Sequence, residues 1–92
     1  MVPAAGAEDT KPSIHPRSEW TSRGWAYSNA DCEKGPIYAD GGIKFAVVHH
    51  TVNSNTYTQG EVPGMLSAIY QFHTGTRGWC DIAYNALVDK YG

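Results

Sequence analysis

His49 and His50 close the apolar run Phe45-Ala46-Val47-Val48, the place where a site at a sheet edge gathers its side chains. Neighbouring residues of a strand face opposite sides, so these two cannot hold one ion together. At most one of them serves a given site, and it needs partners from elsewhere in the fold. A hydrogen-bonded core histidine is the competing explanation. His73 falls at the end of a helical stretch, where a cation complements the helix dipole and bonds the last carbonyls. That capping role alone would account for it. Tyr84 stands among apolar neighbours, where a buried tyrosine with a satisfied hydroxyl is the usual state. Arg77-Gly78-Trp79 places a cation, a glycine and an indole in one turn, readable as packing plus a surface charge. Cys32 and Cys80 are either a disulfide or two buried thiols. No HExxH helix, CxxC pair or glycine-rich phosphate loop is present, so no metalloprotease, redox or nucleotide chemistry is written locally.

These side chains have to be positioned by 92 residues with a net charge of −2. One domain at most is available, and no face of it can be densely basic, which argues against a nucleic-acid footprint. Hydrophobic residues make up 41% and charged ones 17%, a folding composition rather than a disordered one. The longest apolar run, residues 45–48, is far too short to span a bilayer. Residues 1–13 read as a flexible arm, since Met1 to Lys11 is small and acidic without hydrophobic periodicity. Residues 14–25 are irregular, with Trp20 and Trp25 as packing anchors, and residues 28–43 are rich in turn formers and hold Cys32 in a loop. Lys44–Thr51 predicts a central strand, apolar on both faces. Val62–Thr74 predicts a helix, opened by Pro63 and stopped by Gly75. Leu66, Ile69 and His73 share one face of it, with Met65, Ala68 and Phe72 beside them. Asp81–Val88 predicts a second strand, and Asp89–Gly92 a hairpin turn with no returning strand, as in the front part of a longer domain.

Singly, these residues carry little. Together, Phe45-Ala-Val-Val-His-His-Thr51, Tyr70-Gln-Phe-His73 and Thr76-Arg-Gly-Trp-Cys-Asp-Ile-Ala-Tyr-Asn85 closely resemble the peptidoglycan recognition protein family. Its relatives are the amidase-type phage lysozymes, zinc-dependent N-acetylmuramoyl-L-alanine amidases. Pro16-Arg17-Ser18-Glu19-Trp20 resembles the family's N-terminal segment, and the likeness covers residues 14–92 as the N-terminal portion of one such domain. It implies an α/β fold with a central mixed β-sheet flanked by α-helices, truncated here. By the same resemblance His49 is a zinc (Zn2+) ligand, and Tyr84 is the catalytic tyrosine that positions the attacked carbonyl or the water. His50, His73, Arg77, Gly78 and Trp79 match positions lining the groove for the peptide stem. The Gly-Trp pair goes with meso-diaminopimelate stems, and Arg77 is placed to meet their extra carboxylate. Cys32 and Cys80 match a pair disulfide-bonded in many relatives, which implies a secreted or extracytoplasmic protein.

The implied reaction is hydrolysis of the amide between N-acetylmuramic acid and L-alanine of peptidoglycan. A zinc ion with three protein ligands and an open position supplies a water of pKa about 7, and Tyr84 would donate to the developing oxyanion. This sequence departs from that pattern. Active members complete the zinc site with a second His and a Cys beyond the point matching Gly92, so the chain alone holds one matched ligand. The competing expectation is a peptidoglycan-binding or recognition module without hydrolysis. A third is a chain whose open sheet edge is covered by self-association or by a second chain.

Overall fold

The computed structural model describes residues 12–92. Regular structure is sparse: a 3₁₀ turn at Arg17–Glu19, a second at Gln59–Glu61, and helix α1 at Val62–Gln71, which widens into a π turn at Phe72–Thr76. The helix begins where the sequence places it. Pro63 occupies the first turn, where its missing N–H costs nothing. Glu61 folds back so that its carboxylate accepts from the Thr58 backbone N–H at 2.7 Å and from the Thr58 hydroxyl at 3.1 Å. These bonds, the backbone one first, hold the Glu61 carboxyl below its ordinary range. They fix the chain's entry into the helix, as a capping box does.

The end of the helix differs from expectation. Gly75 does not stop it; the chain runs on through a wide turn in which the Arg77 N–H donates to the Phe72 carbonyl at 3.0 Å. The Thr74 hydroxyl donates to the Tyr70 carbonyl at 2.9 Å, a back-bond that bends helices. Termination comes at Gly78, whose φ of +71° is the left-handed conformation that glycine reaches without penalty. The Trp79 N–H then returns to the His73 carbonyl at 2.8 Å.

The central mixed β-sheet expected from the sequence does not form. Among the described residues there is no strand, and both Lys44–Thr51 and Asp81–Val88 run as irregular chain. Phe45, Val47 and Val48 are 79%, 73% and 96% exposed, and the backbone bonds nearby close turns, such as Gly42 N–H to the Ala39 carbonyl at 3.3 Å, not a ladder. β-Branched and aromatic residues favour a pleated, half-buried surface, but a strand exists only when its N–H and C=O groups pair with a neighbour. These two segments do not pair with each other. The Cα radius of gyration of 16.1 Å reflects this, against about 12 Å for a compact domain of this size.

What packs is a clasp between the N-terminal loops and the end of α1. Its buried residues are Cys32, Tyr70 and His73. Cys32 is disulfide-bonded to Cys80 across 48 residues, and Ala26 N–H donates to the Cys80 carbonyl at 2.7 Å. Trp25 indole N–H donates to the Cys32 carbonyl at 2.7 Å, and the Tyr70 hydroxyl to the Gly24 carbonyl at 2.5 Å. Arg17 makes a forked pair with Asp81 at 2.6 and 3.0 Å while its guanidinium lies 5.2 Å from the rings of both Trp20 and Tyr70. The Asp81 carboxylate raises the Arg17 pKa further above its ordinary value. The Trp20 ring meets Tyr70 edge-on at 6.2 Å. Trp20 and Trp25 are thus the anchors their sequence context predicts. The expected arm at residues 1–13 lies almost wholly outside the described residues.

Candidate functional site

The clasp fixes the position of His73, and His73 organises the site. It is 8% exposed, and its Nδ1 accepts the Ala83 backbone N–H at 3.1 Å, so the ring is neutral with the proton on Nε2. Burial, and secondarily the nearby Arg77 cation, lower its pKa. It therefore does not cap the helix as a cation, the role its sequence position offers. The Trp79 ring lies 4.7 Å from it and the Tyr84 ring 5.7 Å. On the other side of Tyr84, at 5.3 Å, is the ring of His49. His49 thus joins His73, Trp79 and Tyr84 in one cluster, although it stands well before them in the sequence.

His49 has the opposite proton arrangement. Its Nδ1 lies 3.0 Å from the His50 carbonyl; a carbonyl only accepts, so Nδ1 carries a proton, and in the neutral ring Nε2 is the nitrogen that offers a lone pair. One histidine offers a donor and the other an acceptor, with the Tyr84 hydroxyl able to do either. Beside them lies a cleft of about 380 Å³, lined by Thr51, Asn53, His73, Tyr84 and an apolar strip of α1 that includes Ile69 and Phe72. The helix face that carries Ile69 and His73 thus forms a wall of the cleft. Thr51 and Asn53 flank Val52, whose φ of +66° is strained for a β-branched residue.

Arg77 lies next to the cleft through Phe72, one of its lining residues: its guanidinium is 5.3 Å from the Phe72 ring and 5.9 Å from the Trp79 ring. Two aromatic faces hold an exposed cation without neutralising it. Gly78 gives the turn that allows this. The remaining residue predicted for the site, His50, is exposed and joins through its backbone carbonyl alone. Sequence reasoning missed Asn29, Arg17 and Asp81. The Asn29 side-chain amide reaches the carbonyls of Thr74 at 2.7 Å and Trp79 at 2.8 Å. Their partners lie 45 to 64 residues away, so no local pattern could reveal them.

The implied zinc does not fit what this chain offers. Among the described residues no three His, Cys, Asp or Glu side chains lie together as a metal site, and both cysteines are in the disulfide. His49 alone has a nitrogen lone pair to spare beside Tyr84, and a structural or catalytic zinc site needs at least three protein ligands.

The sequence likeness can now be set beside this geometry. Peptidoglycan-recognition protein SC1a of Drosophila melanogaster is 28% identical over 76 residues, 83% of this chain and 37% of its own length. Human peptidoglycan recognition protein 3 is 30% identical over 81 residues, 88% of this chain and 21% of its own. Peptidoglycan recognition protein 1 of Bos indicus is 32% identical over 50 residues, 54% of this chain and 26% of its own. These likenesses support a distant assignment to the peptidoglycan recognition protein family. The chain spans little more than a third of the length of the fly relatives it matches. No protein-family model matches the chain, and no solved structure matches it significantly. Within the described residues no helix is long and apolar enough to cross a membrane. The disulfide, as in an extracellular member of the peptidoglycan recognition proteins, accords with an oxidising compartment.

The state of His73 has a measurable consequence. With a folded pKa below the ordinary 6.5, the unfolded chain binds the proton more readily. Its contribution to stability is complete above the unfolded value and lost as pH falls through the folded one. Denaturation midpoints are expected to drop between about pH 7 and pH 5. In His73→Gln, whose amide oxygen can accept the Ala83 N–H without titrating, that part of the slope disappears. An unchanged slope would contradict the assignment.

Proposed function

We propose that this chain recognises the peptide stem of peptidoglycan, with the cleft beside α1 taking the stem and the Arg77 rim meeting a side-chain carboxylate of a meso-diaminopimelate residue. The observation that carries this is the convergence of His49, His73, Trp79 and Tyr84 beside a cleft of 380 Å³, a volume in the range of small-ligand sites. A peptide presents alternating N–H and C=O groups, and the cluster presents one acceptor nitrogen, one donor nitrogen and one hydroxyl. A neutral, partly apolar floor with a single cation at its rim suits a stem with one extra carboxylate. The relatives' names support the same class of ligand. The protein would meet it outside the cytoplasm, where the disulfide persists.

The test is calorimetric titration of the chain with two muramyl tripeptides, one ending in meso-diaminopimelate and one in lysine. Saturable binding that favours the diaminopimelate form is expected. Arg77→Ala should weaken that form by about tenfold or more, the worth of one charge-assisted hydrogen bond, and leave the lysine form nearly unchanged. Absence of binding to either would refute the reading.

The second reading is a zinc-dependent N-acetylmuramoyl-L-alanine amidase. It is favoured by one observation, the free Nε2 of His49 beside Tyr84. In that reading His49 would be one zinc ligand, the others would be supplied from outside this chain, and Tyr84 would hydrogen-bond the attacked carbonyl. Zinc retained after dialysis in near-equimolar amount, and lost in His49→Ala, would favour it. A metal-free chain that still binds the tripeptide would leave recognition as the function of this chain.

A further inference from the structure

A short loop next to the cleft carries Arg77 and Trp79. Residues 74–79 leave the π turn, reverse at Gly78 and bring Trp79 back onto His73. Within the loop the helix-terminal carbonyls are unpaired by the helix itself. One side chain spans it. The Asn29 amide nitrogen donates to the Thr74 carbonyl at 2.7 Å and to the Trp79 carbonyl at 2.8 Å. Both amide hydrogens are thereby used, one at each end of the loop that carries Arg77. Two carbonyl acceptors also fix which way the amide points, since its oxygen could bond neither.

Asn29 is itself held rigidly. Its N–H donates to the Ala26 carbonyl at 3.0 Å and its carbonyl accepts from Cys32 N–H at 3.2 Å. Ala26 and Cys32 are in turn bound to Cys80, the first through its backbone and the second through the disulfide. The 26–32 loop is therefore one piece with the residue that follows Trp79.

We infer that Asn29 is a positioning residue that sets the geometry of the Arg77–Trp79 rim, and through it the choice between stems with and without the extra carboxylate. This rests on reading the cleft as the stem site. The chemistry requires an amide: aspartate would aim a carboxylate at two carbonyl oxygens, serine has a single donor, and alanine has none. The guanidinium of Arg77 lies over the Trp79 ring, and that ring lies on His73, so loosening the tie at Asn29 moves both.

The experiment compares wild type, Asn29→Asp and Asn29→Ser, each carrying 5-fluorotryptophan at its three tryptophans, with Trp79 assigned through Trp79→Phe. In the ligand-free proteins, fluorine NMR should show the Trp79 resonance shifted or broadened in Asn29→Asp, less so in Asn29→Ser, with Trp20 close to its wild-type position. An unmoved Trp79 signal in both folded variants overturns the inference. Titration with the two muramyl tripeptides should then show Asn29→Asp losing about tenfold for the diaminopimelate form and with it the preference over lysine. In the Arg77→Ala background the same substitution should cost nothing further, as for residues acting through one another. An equal loss in both backgrounds overturns the positioning role in favour of general destabilisation. If wild type binds neither tripeptide, the stem reading fails and specificity falls with it, while the fluorine signal still decides whether Asn29 sets the rim.

Discussion

Serine at both Cys32 and Cys80 is expected to abolish a cooperative folded state at 37 °C. The disulfide closes a loop of 48 residues, and removing such a constraint frees about 4 kcal/mol of chain entropy in the unfolded state. A protein of this length has roughly 5–14 kcal/mol in total at the usual scale per residue, and burial this sparse leads us to expect a value at the bottom of that range. Cys32 is 0% exposed, and the carbonyl at that position receives the Trp25 indole, so its loss also loosens the N-terminal loops. Denaturant titration with and without reductant measures this. The oxidised wild type should unfold cooperatively, and the reduced protein and the double variant should show no transition or one shifted by several kcal/mol. A double variant as stable as wild type would mean that the clasp stands on packing alone.

The second large effect is expected at Tyr70. It is 4% exposed, donates to the Gly24 carbonyl, meets Trp20 edge-on and supports the Arg17 guanidinium. Tyr70→Ala removes a buried ring from the middle of these contacts and should cost about 3–5 kcal/mol, the range for an aromatic truncated in a core. Tyr70→Phe keeps the ring and loses the hydroxyl, leaving the Gly24 carbonyl without its partner, for about 1–2 kcal/mol. The pair separates packing from hydrogen bonding when read as denaturant midpoints at constant m-value. Equal losses in the two variants would put the whole effect on the hydroxyl. A negligible loss in Tyr70→Ala would show that the α1 end is held by the disulfide and the Arg17–Asp81 pair.

Both effects follow from the same economy. With three buried residues among those described, the chain depends on cross-links between distant segments, of which the disulfide, the Arg17–Asp81 fork and the Asn29 amide are the principal ones. All three converge within residues 74–81. The segment that carries Arg77 and Trp79 is thus tied to the N-terminal loops at several points, as expected where a site needs its geometry fixed before the ligand arrives.

Helix α1 was legible in the sequence because its signals are local. Pro63 and the spacing of Leu66, Ile69 and His73 act within a few residues of one another. The motif residues were legible for a different reason: their order and spacing resemble a family, and that likeness brought His49, His73, Trp79 and Tyr84 to notice before any contact was known. Other features could not be read. The strands predicted at Lys44–Thr51 and Asp81–Val88 are written in side-chain preference, but a strand is made by a partner, and these segments find none in the described chain. Gly75 carries the stop signal of a helix, yet the Thr74 back-bond and the clasp draw the chain into a wider turn and pass the stop to Gly78. His73 reads as a capping cation by position and is a neutral acceptor because the fold buries it against Ala83. The sequence by itself determined the helix, the half-cystines available for linking and the set of side chains fit to meet a peptide. The tertiary structure alone decided which of them touch, since contacts across 45 residues or more depend on loop closure rather than on neighbouring residue types.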